Sequence, residues 1–194
     1  MSAQDFPTSG TPAARQWVDD VLNFWFQELA PHDWFKKDAR LDEQIRERFS
    51  SLYATLKSTP FVPASLDARG LVAGVIALDQ FPRNMFRQSA ETYATDTKAL
   101  DLAKYAVANG MDHTLAQQQR YFLYMPFMHS EDRATQAESL RLFTQINDKE
   151  GMKWARHHKD IVDRFGRFPH RNAILGREPT AEEIEFVKQQ PDIG

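Results

Sequence analysis

The chain has 194 residues, enough for one domain with a sizeable core, and its 42% hydrophobic and 26% charged residues are ordinary globular usage. A net charge of −3, from 24 basic and 27 acidic residues, leaves no overall basic field for nucleic acid, and the lack of cysteine excludes disulfides, thiolate zinc sites and cysteine nucleophiles. No apolar run approaches the roughly 18 residues that span a bilayer, and the polar stretch from Met1 to Thr11 does not read as a secretory signal, so a cytoplasmic location with no membrane role is expected.

Residues 1–10 read as a flexible tail, and residues 11–194 as a single helical domain. Thr11 followed by Pro12 predicts a helix start, with a hydroxyl cap and then proline at the first helical position. Val18, Val21, Leu22, Trp25 and Leu29 recur at helical spacing up to Pro31. A second helix is expected from about Asp38, with Leu41, Ile45, Phe49, Leu52 and Leu56 as its apolar stripe. After a loop at residues 58–64, Ser65 is the expected cap of a third helix. That helix is apolar all round through Leu71, Val72, Val75, Ile76 and Leu78, which predicts a central, buried position. Gly70 and Gly74 share one face and predict close approach of a neighbouring helix; Pro82 is expected to stop or kink the helix.

A fourth helix is predicted over about 96–109, with Gly110 ending it, and a fifth over about 115–125, interrupted by Pro126. Ser130 reads as the cap of a sixth, with Glu131 and Asp132 in its first turn. A seventh runs from about Met152 to Phe165 and closes at Gly166; the last starts at Thr180, which has capping-box spacing to Glu183. No stretch alternates as a strand does. The expected fold is all-α: about eight helices in stacked antiparallel hairpins, tetratricopeptide-like in architecture but without a consensus repeat.

Three polar segments stand apart from this framework. In the first, 79–87, Asp79 ends the apolar face of the third helix, where a carboxylate is costly unless paired; Arg83 and Arg87 are the nearest partners in sequence. In the second, 124–132, His129, Ser130, Glu131 and Asp132 gather at a helix entrance. The third, 164–177, carries four arginines and one histidine with no acid up to Arg177. The first and third echo each other: Phe81-Pro82-Arg83-Asn84 in one, and Phe168-Pro169-His170-Arg171-Asn172 in the other.

These segments, with Phe24-Trp25-Phe26, carry a resemblance to the largely bacterial domain-of-unknown-function family 924, over about residues 17–190. The resemblance implies a tetratricopeptide-like helical fold. It implies no activity and supplies no catalytic residues.

The residues leave two readings open. In one, the three segments meet around a pocket for a small anionic ligand. Asp79, Arg83, Asn84, Arg87, Arg167, Arg171 and Asn172 then bind it, because guanidinium groups pair with carboxylate or phosphate. His129 or His170, with Glu131, moves protons in acid–base or hydrolytic chemistry. In the other, Asp79 with its arginines is a structural ion pair, the acids near Ser130 serve the helix end, and the protein is a helical scaffold for a protein or peptide partner. No ligand spacing predicts a metal, and no cofactor is expected.

Overall fold

The computed structural model describes residues 12–60 and 62–189; the tail and the Thr11 cap lie outside the described residues. Those residues form nine α-helices and no strand: α1 (Pro12–Asn23), α2 (Ala39–Ser58), α3 (Ala68–Val75), α4 (Phe81–Met85), α5 (Asp96–Ala108), α6 (Gln117–Met128), α7 (Arg133–Gln145), α8 (Lys149–Phe165) and α9 (Ala181–Gln189). The expected count of about eight treats α3 and α4 as one element. They are continuous through a single wide π-helical turn, Ile76–Gln80, so Pro82 does not end the helix. It falls in the first turn of α4, where its missing N–H is tolerated.

The predicted third helix is central. Leu71, Val72, Val75, Ile76 and Leu78 are fully buried, and α3 packs against α1, α5 and α6. From α5 onward each helix packs on the next, through α6 and α7 to α8. Phe24, Phe49, Phe81, Trp25 and Phe122 interlock in tilted, edge-on and stacked ring contacts that join the turn just after α1 to α2, α4 and α6. A second, small apolar cluster of Ile161, Val162 and Phe168 supports the turn after α8.

Two caps differ from expectation. Asp67, not Ser65, caps α3 by accepting the Gly70 N–H at 2.8 Å; Ser65 ends a short 3-10 turn instead. Asp132, not Ser130, caps α7 by accepting from the backbone and hydroxyl of Thr135, each at 2.8 Å. α6 also runs through Pro126 to Met128. α8 starts earlier than predicted, behind an Asp148 cap. The Thr180–Glu183 capping box forms as predicted, with bonds of 2.7 and 3.2 Å. A side chain at Gly70 would meet Leu66, from the segment just before α3, rather than another helix. At Gly151 a missing side chain does admit a neighbouring helix: a Cβ there would lie 2.3 Å from the Phe143 ring of α7.

Candidate functional site

The π-helical turn places Asp79. The Phe81 N–H reaches back five residues to the Ile76 carbonyl, and the extra residue turns both Asp79 and Gln80 into the interior. In a regular helix the Leu78 carbonyl would receive the N–H of residue 82, which is proline. The Thr95 hydroxyl donates to that carbonyl at 2.5 Å instead. Widened turns of this kind recur at functional sites.

Asp79 is fully buried and fully engaged. Gln80 donates to Oδ2 at 2.6 Å, the Arg83 guanidinium lies 3.3 Å from Oδ1 and donates to the main-chain carbonyl at 2.6 Å, and His129 Nδ1 lies 2.8 Å from Oδ1. Burial alone would raise the Asp79 pKa. The charge of Arg83, with His129 and Gln80, outweighs it and holds the carboxyl below its usual range. An ionised carboxylate only accepts, so His129 donates through Nδ1–H and its lone pair resides on Nε2. Burial and the Arg83 charge lower the His129 pKa in spite of Asp79, so the ring is neutral near pH 7. Its Nε2 makes no hydrogen bond.

His129 closes the end of α6, and its N–H bonds the Met125 carbonyl at 3.0 Å. The carbonyls on either side of it, of Met128 and Ser130, both accept from the buried Gln136 amide, at 2.7 and 2.6 Å. Gln136 thus fixes the backbone that carries the histidine.

The two Phe-Pro turns meet on one carboxylate. Arg83 donates to both oxygens of Asp96, at 2.9 and 3.0 Å, and Arg171 reaches Oδ2 of the same residue at 3.4 Å. The Arg171 guanidinium lies between two aromatic faces, 4.4 Å from the Tyr93 ring centre and 4.6 Å from that of Phe168. Its Nε is buried without a partner. Burial lowers the Arg171 pKa, Asp96 opposes that, and the neighbouring Arg83 adds to it. Glu131 ties the second segment to the third: its Oε1 accepts the Phe168 N–H at 2.9 Å and Arg177 at 2.8 Å. Burial would raise the Glu131 pKa, and these donors overcome it and lower it.

Between these parts lies a cavity of about 330 Å³. Its polar wall holds Tyr93, Asp96, His129, Glu131, Arg171 and Arg177; Leu100, Pro126 and Leu175 make the apolar side. Asp79 and Arg83 stand behind His129 and Asp96 as supports.

Of the residues singled out from sequence, His129, Glu131 and Arg171 line this cavity, and Asp79 and Arg83 hold it. The others go elsewhere. Asn84 and Arg87 both donate to Asp42 on α2. Arg167 pairs with Glu183 on α9. The buried Asn172 lies beside that same carboxyl, whose pKa is lowered to about 2, first by Arg167. His170 packs against Phe168 with its Nδ1 buried and unpartnered, and it does not line the cavity. Sequence reasoning missed Tyr93, Asp96, Thr95 and Gln136. Asp96 is the first residue of α5, where an acid is ordinary and carries no local sign of a second role. Among the described residues no group of three His, Asp or Glu is placed to hold a metal ion, and no helix is long and apolar enough to cross a membrane.

A family model described as bacterial protein of unknown function (DUF924) matches residues 21–191. A solved structure of a protein of unknown function, ATU0120 from Agrobacterium tumefaciens, superposes with a TM-score of 0.81 at 36% identity, covering 90% of this chain and 98% of that one. No curated protein matches the chain. The matched residues take in all three polar segments, and the chain belongs to the DUF924 family of bacterial proteins.

Proposed function

We propose that the cavity between Asp96, His129 and Arg171 binds a small molecule through an acidic group, with His129 as the base beside it. The observation that carries this reading is the state of Arg171. It is a buried guanidinium whose acid contact is a 3.4 Å approach to a carboxylate already gripped by Arg83. A buried cation calls for closer acceptors than that. The cavity it lines is where a ligand oxygen would supply them, and Arg177 offers a second guanidinium on the same wall. The volume falls at the small end of the roughly 300–1,000 Å³ range of ligand clefts.

His129 fits the role of proton acceptor. Its tautomer is set by Asp79, its backbone by Gln136, and its free Nε2 belongs to a side chain that lines the cavity. A protein or peptide scaffold, the rival expectation, draws less support. The large exposed apolar side chains among the described residues are Phe35, Val62, Trp154 and Ile184, which lie on two loops, α8 and α9, with no two on the same element.

The test is a thermal-shift screen with small carboxylates and phosphates, followed by calorimetry on wild type and Arg177→Met. Arg177 is partly exposed, so its loss leaves the fold standing. A compound that stabilises the native protein by mass action, and binds at least tenfold more weakly to Arg177→Met, supports the proposal. If no compound with a carboxylate or phosphate group, zwitterions included, shifts the wild type, the arginines are structural and the pocket reading is dropped.

A further inference from the structure

The cavity wall carries charge of both signs, and the balance restricts what enters it. Arg83, Arg171 and Arg177 face Asp79, Asp96 and Glu131, with His129 neutral. The cluster is therefore close to neutral before a ligand arrives. An added carboxylate or phosphate satisfies Arg171 but brings its own uncompensated charge into a half-buried space, and a phosphate brings more of it. The wall also holds acceptors with nothing to accept. Glu131 uses Oε1 for both of its bonds, leaving Oε2 unused, and His129 Nε2 is unused as well. Arg177 uses Nη1 alone. Unfilled donors and unfilled acceptors thus share one small cavity.

We infer that the ligand is a zwitterion, a free α-amino acid with an apolar side chain: its carboxylate on Arg171 and Arg177, its ammonium on Glu131 Oε2 and His129 Nε2, and its side chain along Leu100, Pro126 and Leu175. This inference rests on the pocket reading above and specifies its ligand. A zwitterion adds no net charge to a neutral cluster, and it alone uses both sets of free groups. A simple carboxylic acid leaves Glu131 unanswered, and a simple amine leaves Arg171 as it is. A volume of about 330 Å³ has room for a molecule on the order of ten non-hydrogen atoms.

Isothermal calorimetry at pH 7.5 on the full chain would compare three matched probes: L-leucine, 4-methylpentanoate, which lacks the ammonium, and 3-methylbutylamine, which lacks the carboxylate. The expected result is measurable binding of L-leucine and at least tenfold weaker binding of each truncated probe. Glu131→Gln retains an oxygen for the Phe168 N–H and removes the charge. It should weaken L-leucine at least tenfold without weakening 4-methylpentanoate, because the cluster then carries a net positive charge, and the probe series on the wild type stands whether or not this variant folds. If 4-methylpentanoate binds as tightly as L-leucine, the ammonium site is wrong and the acidic-group pocket survives. If 3-methylbutylamine alone binds, the carboxylate site is wrong and both readings fall. If L-leucine, L-valine, L-methionine and L-phenylalanine all fail to bind, the zwitterion is excluded, and the anion screen decides separately whether any pocket remains.

Discussion

An Asp79→Asn substitution keeps the shape of the side chain and removes its charge. In the wild type that charge faces Arg83 and His129 from a fully buried position. Removing one partner of a buried pair leaves the other uncompensated, at a cost of about 3–5 kcal/mol. For a chain of this length each kcal/mol shifts Tm by roughly 2–4 °C. Calorimetry should therefore find Asp79→Asn melting at least roughly 6 °C below wild type, or failing to fold. Arg87→Met breaks a pair from the same sequence motif, but Arg87 is about a third exposed. Its loss should cost under about 1 kcal/mol in urea unfolding. Equal effects would mean that burial does not separate the two. This difference was half legible in the sequence. Asp79 betrays itself because it continues an apolar helical face, so its burial and its need for a partner follow from spacing alone. Nothing local marks Asp96 as the carboxylate that both Phe-Pro arginines share, because that convergence is produced by packing α5 beside two turns far away in sequence.

Long apolar periodicity makes α2 and α3 legible in the sequence, and helix ends are less so. Ser65 and Ser130 were each displaced as cap by an aspartate two residues on. Serine and aspartate cap almost equally well, so local preference cannot choose between them and tertiary contacts do. At the second of these ends the freed Ser130 hydroxyl accepts the Asp132 N–H at 3.2 Å, while Glu131 turns to the third segment. The widened turn between α3 and α4 was foreshadowed only by Pro82, and its upkeep by Thr95 was not foreshadowed at all. Thr95→Val keeps the volume and removes the hydroxyl that serves the Leu78 carbonyl. An unserved buried carbonyl costs about 1–3 kcal/mol. We expect that loss in urea unfolding, together with a loosened Asp79–His129 pair, visible as a changed His129 ring signal in NMR. A Thr95→Val protein as stable as wild type would show that the turn needs no such partner. Gly151→Ala tests the α7–α8 hairpin in the same way. Its added carbon meets the Phe143 ring at 2.3 Å, and overpacking of this kind costs about 1–3 kcal/mol. A neutral or stabilising result there would mean that Phe143 has room to move aside.

Over the whole molecule, most of the apparent excess of arginine in the third segment is met by acids outside the three polar segments, Glu182 for Arg164 and Glu183 for Arg167, while Arg171 reaches Asp96 only at 3.4 Å. Counting charge within motifs overstated the surplus because ion pairs follow space and not sequence. Histidine is the other charge reservoir, and it predicts how the protein responds to acid. His129, His158 and His170 form a chain of ring contacts through Phe168. Burial lowers the pKa of all three: His158 to about 3, with His129 adding to the effect, and His170 to about 4, with Arg171 adding to it. In the unfolded chain each titrates near its ordinary value of about 6.5. Above that pH neither state binds the proton and these residues leave stability unchanged. As pH falls below about 6.5 the unfolded chain takes up protons that the folded protein refuses, so stability declines. The slope is at most about 1.4 kcal/mol per pH unit for each histidine, and it ends when pH reaches the folded pKa. Near pH 4 the carboxyls of Asp79, Glu131 and Glu183, whose folded pKa values are lowered, begin to add to the loss in the same direction. The urea midpoint should therefore be flat from pH 8 to 7 and fall steadily from pH 6.5 to 4.5, before any carboxylate titrates strongly. His158→Gln removes one titrating group and should make the decline shallower by up to about 1.4 kcal/mol per unit. A midpoint that stays level to pH 5, or a His158→Gln slope equal to that of wild type, would show that these imidazoles take up protons in the folded state as readily as in the unfolded one.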